Sequence, residues 1–221
     1  MENCRIVTKI GEVIGRIEGD FRIFRGIPYA VCERFGYPKE VPYRGVFDAT
    51  KTEKDCYQYS AFRDESEGPD SFYHKEFRSD RTFSYTEHEM CLNIITRKKA
   101  ENDPVLVFIH GGGFETGTIG ELPYGDTTEY AKRGIVFVSL GYRLNVFSLY
   151  EGNNFGFYDL EAGIRFVHDH IRDFGGDPSR IVLIGQSAGA MAIMDSSIRD
   201  VSRDSSMARS RCRAEAWSRR W

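Results

Sequence analysis

A serine between two glycines is the clearest chemical feature of this sequence. Ser187 lies in the stretch IGQSAGA, after the apolar run RIVLIG and before the helix-like run SAGAMAIM. A tight turn from a strand into a helix exposes the serine Oγ, and side chains at Gly185 and Gly189 would collide with neighbouring backbone. The start of the helix also offers unpaired N–H groups to a developing negative charge. The pattern predicts a nucleophilic serine rather than a solvated serine in a glycine-rich turn.

A glycine triplet supplies a second element of the same chemistry. The stretch HGGGFETG, residues 110–117, follows the strand-like run PVLVFI. Successive glycines let backbone N–H groups approach a substrate carbonyl closely, which predicts the other half of an oxyanion hole. The alternative is a phosphate-binding loop. The chain has neither glycine-rich nucleotide motif, so that alternative is not favoured.

The histidines do not fit a catalytic triad. A serine nucleophile needs a base, and the base needs an orienting carboxylate. All five histidines precede the serine: His74, His88, His110, His168 and His170. We expect a structural role for the one that opens the glycine loop, surface positions for the first two, and no metal pair from the last two, which fall on different helix faces. The acidic residues after the serine lie in an unusual tail: Asp195, Asp200, Asp204 and Glu215. The triad acid and histidine are therefore expected to be absent from this chain.

The surrounding pattern predicts an α/β fold. Apolar runs such as PVLVFIH, GIVFVSLGYR and RIVLIG suit strands that are buried on both faces of a mostly parallel sheet. Helices are predicted at DTTEYAKRG and over residues 159–174, where apolar residues recur every three or four positions. The first thirty residues predict a small antiparallel sheet, and residues 31–90 are irregular and rich in aromatic side chains.

Composition narrows the class of protein further. The chain has 221 residues, 41% hydrophobic and 29% charged, with a net charge of −3. These values are typical of a soluble globular protein and give no sign of a nucleic-acid or membrane partner. The start of the chain does not resemble a signal peptide, and the five cysteines lack metal-ligand spacing. We therefore expect a cytoplasmic protein with reduced thiols and no metal site. The oligomeric state is left open.

Several blocks together resemble one enzyme family. FRGIPYA, EMCLNI, HGGGF, GYRLNVF, NFGFYDL and FGGDPSRIVLIGQSAGA occur in this order between about residues 5 and 194. They resemble the type-B carboxylesterases, which include cholinesterases and para-nitrobenzyl esterases. The resemblance implies an α/β-hydrolase fold with flanking helices, and hydrolysis of a small carboxylic ester through an acyl-serine intermediate without a cofactor.

The resemblance also implies roles for individual residues. Ser187 matches the nucleophile, and Gln186 stands where many members have Glu. Cys56 and Cys91 match the positions of a disulfide-closed loop in secreted members. The oxyanion hole corresponds to the backbone N–H groups of Gly112, Gly113 and Ala188.

The resemblance ends near Met194, where an Arg/Ser-rich tail begins. We predict that residues 1–194 are the N-terminal part of an α/β-hydrolase domain, truncated after the nucleophile turn. Residues 195–221 are predicted to be out of frame or disordered, the alternative being a basic tail that binds an acidic partner. On this interpretation RIVLIG forms an open sheet edge and the chain alone is inactive.

Two other functions stay open at this point. A non-catalytic binding or adhesion relative would usually have lost the nucleophile or the oxyanion glycines, and this chain keeps both. An amidase or peptidase on the same fold would carry the same serine chemistry. The block pattern favours ester hydrolysis.

Overall fold

A computed structural model describes residues 2–42, 45–51, 55–58, 85–87, 90–120, 127–195 and 213–217. The strands are β1 (Glu2–Thr8), β2 (Gly11–Glu18), β3 (Phe21–Pro28), β4 (Ala30–Val31), β5 (Lys39–Glu40), β6 (Val46–Asp48), β7 (Asp55–Cys56), β8 (Tyr85–Thr86), β9 (Cys91–Arg97), β10 (Asp103–Ile109), β11 (Val136–Leu140), β12 (Leu149–Tyr150), β13 (Asn153–Asn154), β14 (Gly176–Gln186) and β15 (Arg213–Trp217). The helices are α1 (Thr128–Lys132), α2 (Asn145–Ser148), α3 (Phe155–His170) and α4 (Ala188–Met194).

One mixed sheet organises the molecule. Its strand order is β1-β2-β3-β9-β11-β10-β14-β15, and β6 pairs with β2. The predicted N-terminal antiparallel strands continue directly into this sheet, because β3 pairs with β9. From β11 to β15 the pairing is parallel, as the sequence predicted for this region. Strand β9 is antiparallel to both of its neighbours, β3 and β11. The connection at residues 98–102 reverses the chain before β10, and β11 runs parallel to β10.

The core lies on both faces of the parallel strands. All five residues of β11 are buried, which is the pattern of a strand covered on two sides. Ile109 of β10 and Ile181 of β14 are fully buried, and so are Leu160 and Ile164 of α3, which packs on the sheet. None of the helices that the structure describes combines the length and apolar character needed to cross a membrane.

Helix α3 confirms the predicted long helix with shifted ends. It begins at Phe155, four residues before the predicted start, and residues 171–174 continue it as a 3-10 turn. Gly175 ends this turn with a φ of 91°. A Cβ at Gly175 would lie 2.5 Å from the carbonyl oxygen of Ala100, so glycine is required on two grounds.

The edge of β14 differs from the sequence expectation. RIVLIG was expected to be an open edge, but β15 pairs with β14 in parallel, from Val182 opposite Arg213 to Gln186 opposite Trp217. The expectation was wrong because it judged the tail by its side chains. A ladder needs only backbone N–H and C=O groups, which an Arg-rich segment also provides. The domain boundary at residue 194 and the origin of the tail stay predictions.

Candidate active site

The serine stands at the junction of a strand and a helix. Strand β14 ends at Gln186 and α4 begins at Ala188, so Ser187 is the single residue between them. Its backbone has φ 52° and ψ −118°, a conformation rarely adopted by residues other than glycine. Its carbonyl oxygen accepts a hydrogen bond from the Met191 N–H at 3.0 Å. The side chain is exposed and makes no capping bond to α4, so Oγ is available for chemistry.

Both glycines of the serine motif are required by close backbone contacts. A Cβ at Gly185 would lie 2.5 Å from the carbonyl carbon of Gly189. A Cβ at Gly189 would lie 2.1 Å from the carbonyl oxygen of Ile109, at the end of β10. The sequence analysis predicted these collisions, and they explain why the turn can be so tight.

The glycine loop at residues 110–117 is folded back on itself. Gly112 has φ 103° and Gly113 has φ 66°, both outside the range that ordinary side chains favour. The Gly112 carbonyl accepts hydrogen bonds from the N–H groups of Glu115 and Thr116, at 3.1 and 3.0 Å. Both glycines are exposed, so their backbone is open to a bound molecule.

The glycine loop lies directly against the serine. A Cβ on Gly111 would be 2.7 Å from the Gln186 carbonyl oxygen and 3.1 Å from the Ser187 Cβ. Two segments that are about 75 residues apart in sequence are therefore packed against each other. Gly111 thus sets the loop of the predicted oxyanion residues Gly112 and Gly113 beside the turn that leads to Ala188. Their role as donors stays a prediction.

His110 is part of the support of this loop. Its ring is buried, stacks on Tyr142 at 4.5 Å, and places Nδ1 2.8 Å from the Gly111 carbonyl oxygen. A carbonyl only accepts, so Nδ1 carries the proton. Burial lowers the pKa of His110 to about 4, which keeps the ring neutral at pH 7. Nε2 is buried without a hydrogen-bond partner in the described part of the chain. The predicted structural role is confirmed, and within the described residues no hydrogen bond joins either ring nitrogen to Ser187.

Two of the remaining histidines lie on the long helix. His168 and His170 belong to α3, where Nδ1 of His168 is 2.8 Å from Asp169 Oδ1 and His170 packs on Phe166. Burial lowers the pKa of His170. His74 and His88 lie outside the described residues, as do Asp200, Asp204 and the side chain of Glu215. Asp195 is exposed directly after α4. Within the described ranges no group of three or more His, Cys, Asp or Glu side chains could hold a metal ion.

A buried ion pair between the segment that follows β11 and helix α3 was missed by sequence reasoning. Arg143 and Asp159 have side chains that are 1% and 0% exposed, and they are joined by two hydrogen bonds of 2.7 Å. The Arg143 guanidinium also donates to the Gly36 carbonyl at 2.9 Å. Burial opposes the charge of Arg143, but the hydrogen bonds and charge of Asp159 outweigh it, so the pKa of Arg143 is raised. The two residues lie in the blocks GYRLNVF and NFGFYDL, but neither spacing nor periodicity indicated the pair.

The two cysteines of the possible disulfide are thiols in this structure. Cys56 is buried, and its Sγ accepts a hydrogen bond from the Leu144 N–H at 3.4 Å. Cys91 is half-buried at the start of β9. Their pairing stays a prediction.

A mixed sheet with a serine on a strand-to-helix turn, beside a glycine loop from the neighbouring strand, defines the α/β-hydrolase class. Residues 2–209 match the model of the Carboxylesterase family, so the chain belongs to that family. It is 32% identical over 214 residues to gut esterase 1 of Caenorhabditis elegans, covering 90% of this chain. It is 31% identical over 205 residues to fumonisin B1 esterase of Sphingopyxis macrogoltabida, covering 84% of this chain.

Solved structures agree with the sequence relatives. A thermophilic PNB esterase superposes with a TM-score of 0.71 at 29% identity, covering 86% of this chain and 40% of that one. The chain also spans only 35% of the length of gut esterase 1 and 35% of fumonisin B1 esterase. The similarity therefore covers most of this chain but less than half of each of these relatives.

Proposed function

We propose that this chain carries the nucleophile and the oxyanion hole of a carboxylic ester hydrolase. The observation that carries the proposal is the contact of Gly111 with Ser187 and Gln186, which sets the glycine loop beside the exposed serine. Ser187 Oγ attacks the ester carbonyl, and its proton passes to a general base. The N–H groups of Gly112, Gly113 and Ala188 stabilise the negative oxygen. The alcohol leaves with a proton, and water then hydrolyses the acyl-serine to release the acid. No cofactor is needed.

The base and its orienting carboxylate are proposed to come from polypeptide beyond these 221 residues. Every histidine of the sequence precedes Ser187, whereas α/β-hydrolases supply the acid and histidine after the nucleophile. His110, the histidine of the glycine loop, is held by Gly111 and Tyr142. The chain alone is therefore expected to be inactive, apart from the residual catalysis of an oxyanion hole, about 10³–10⁴-fold over water.

The proposed substrates are small carboxylic esters. The relatives support this class through their names, gut esterase and fumonisin B1 esterase. An amidase would be distinguished by cleavage of an anilide substrate, and a non-catalytic binding protein by a Ser187 that the probe below does not label.

The test uses the 221-residue chain and an extended protein, each with its Ser187→Ala variant. The 221-residue chain and its Ser187→Ala variant are assayed with p-nitrophenyl butyrate, and no Ser187-dependent turnover is expected. The chain is then extended by the second half of the domain, recovered from the downstream DNA in whichever frame encodes it. A fluorophosphonate probe should label Ser187 of the extended protein and spare Ser187→Ala. Labelling of another residue, or labelling that survives the substitution, would refute the proposal.

A further inference from the structure

The amide of Gln58 forms a matched pair of hydrogen bonds with one backbone residue of the glycine loop. Its Nε2 donates to the Gly117 carbonyl at 2.7 Å, and its Oε1 accepts from the Gly117 N–H at 2.7 Å. Nε2 also donates to the Cys56 carbonyl at 3.2 Å. A side-chain amide with one acceptor and a donor group thus completes the hydrogen bonding of Gly117, as a neighbouring strand would.

Gly117 closes the loop that carries the proposed oxyanion donors. It has φ 122°, and a Cβ there would lie 2.2 Å from His110 Nδ1 and 2.7 Å from the Gly111 carbonyl oxygen. The last residue of the loop therefore lies against its first two. Hydrogen bonds that hold both the N–H and the C=O of Gly117 therefore fix how far apart the two ends of the loop lie. The separation of the ends in turn decides where the loop places Gly112 and Gly113 relative to Ser187.

The segment that holds Gln58 is anchored by hydrogen bonds of its own, and one anchor, Asn145, also donates its N–H to the Phe114 carbonyl of the loop at 2.7 Å. The Tyr57 N–H donates to the Thr86 carbonyl at 2.9 Å, and Asn145 Nδ2 donates to the Tyr57 carbonyl. The Leu144 N–H donates to Cys56 Sγ. Residues 56–58 are thus tied to β8 and to the start of α2, so Gln58 reaches the loop from a fixed base.

We infer that Gln58 is a positioning residue of the oxyanion hole, an inference that rests on the proposed function. Only glutamine fits both halves of the pair at this reach. Glutamate has the same length but no donor, and it would set a carboxylate against the carbonyls of Gly117 and Cys56. Alanine leaves both groups of the Gly117 peptide without this partner.

The first test does not depend on activity. Hydrogen exchange is measured on the 221-residue chain and on Gln58→Ala, Gln58→Glu and Asn153→Ala. The last variant is the matched control, because it removes an amide that bonds to Tyr37, away from the loop. The peptide covering residues 111–117 should exchange roughly tenfold faster in both Gln58 variants, while peptides of β10 and β11 are unchanged. Unchanged exchange in the loop, faster exchange across the whole sheet, or parent-like behaviour of Gln58→Glu would overturn the inference.

The second test uses the extended, active protein. Gln58→Ala should lower kcat for p-nitrophenyl butyrate roughly tenfold or more with KM nearly constant, because the loop donors act on the transition state. Asn153→Ala should match the parent. A rise in KM at constant kcat would overturn the positioning role. If the extended parent lacks Ser187-dependent turnover, the proposed function fails, and the exchange measurement still decides whether Gln58 holds the loop.

Discussion

Two glycines of the same loop stand in different surroundings. Gly111 faces the serine turn, where a Cβ would lie 2.2 Å from Gln186 Oε1 and 2.7 Å from the Gln186 backbone oxygen. At Gly113 no heavy atom lies within 4 Å of the same position. Side-chain tolerance in the glycine loop is therefore decided residue by residue rather than by the triplet as a unit.

Alanine substitutions should separate these two positions. Gly111→Ala is expected to lower the free energy of unfolding by about 3 kcal/mol, because a backbone oxygen must move. Gly113→Ala is expected to lower it by about 1 kcal/mol, which is the conformational penalty of a side chain at φ 66°. Urea unfolding of the two variants measures the difference. Equal losses would show that the loop moves away from Gln186 without resistance.

The buried histidine makes stability depend on pH. The pKa of His110 is about 4 in the folded chain and about 6.5 in the unfolded chain. Below pH 6.5 the unfolded chain takes up a proton that the folded chain does not, so stability falls as the pH falls from about 6.5 to about 4. This residue should remove about 2 kcal/mol between pH 7.5 and pH 5. In His110→Gln the loss over that interval should be smaller by this amount, measured by urea unfolding at both values. Parallel losses in parent and variant would contradict the assignment.

The sequence predicted the local parts of the site and missed the long-range ones. Gly185, Ser187 and Gly189 form a contiguous motif whose geometry follows from backbone collisions alone. Gln58 and Gly117 are 59 positions apart. A side-chain amide that hydrogen-bonds to the backbone of a residue far away in sequence leaves no periodic pattern or fixed spacing. The contact of Gln58 with Gly117 is therefore visible only in the folded structure.

At the level of helices and strands, the ion pair of Arg143 with Asp159 joins the segment that follows β11 to α3. Asp159 also accepts a hydrogen bond from the Arg143 backbone N–H at 3.1 Å, so the carboxylate orients the main chain as well as the guanidinium. The long helix is in this way anchored next to the carboxyl ends of the parallel strands, where the serine turn lies.

Replacing one partner of this ion pair should lower the free energy of unfolding more than replacing both partners. Asp159→Asn is expected to lower the free energy of unfolding by about 3–5 kcal/mol, because the Arg143 charge stays buried without its counter-charge. The double variant Arg143→Met with Asp159→Leu should recover a large part of that loss. Urea unfolding of Arg143→Met, of Asp159→Leu and of the double variant measures the coupling. Additive losses would mean that the pair contributes no mutual stabilisation.

Element types were easier to predict than their directions and ends. Helix α3 was predicted from its apolar periodicity, which starts at Leu160, whereas its first turn is decided by packing. A Cβ at Gly156 would lie 2.3 Å from Ser148 Oγ, a contact that the local pattern does not contain. The orientation of β9 depends on which strands become neighbours, and an apolar run carries no such information.

Across the whole molecule, the sheet ends on β15, which shields the apolar strand β14. Leu183 lies opposite Ala214 and Ile184 lies opposite Glu215. An uncovered β14 would expose a row of backbone donors and acceptors on an apolar strand, which favours pairing with another chain.

Proline substitutions test this cover. Neighbouring residues of a strand direct their N–H groups to opposite sides, so one of Ala214 and Glu215 faces β14 and the other faces away. One of Ala214→Pro and Glu215→Pro should therefore detach β15 and shift the chain to larger species in size-exclusion chromatography, while the other elutes like the parent. Identical elution of both variants would show that β15 does not control association.

The backbone of Ser187 has a consequence for how this sequence would change over generations. Holding a serine at φ 52° and ψ −118° carries a penalty of about 1–3 kcal/mol, which glycine largely avoids. After the greater flexibility of glycine in the unfolded chain is subtracted, Ser187→Gly should be about 1 kcal/mol more stable than Ser187→Ala. Selection for the proposed serine chemistry and selection for folding would therefore favour different residues at this position. In a library randomised at position 187 and sorted only by a folding reporter, glycine should become the most enriched residue. Enrichment of serine over glycine would show that the turn holds the serine without penalty.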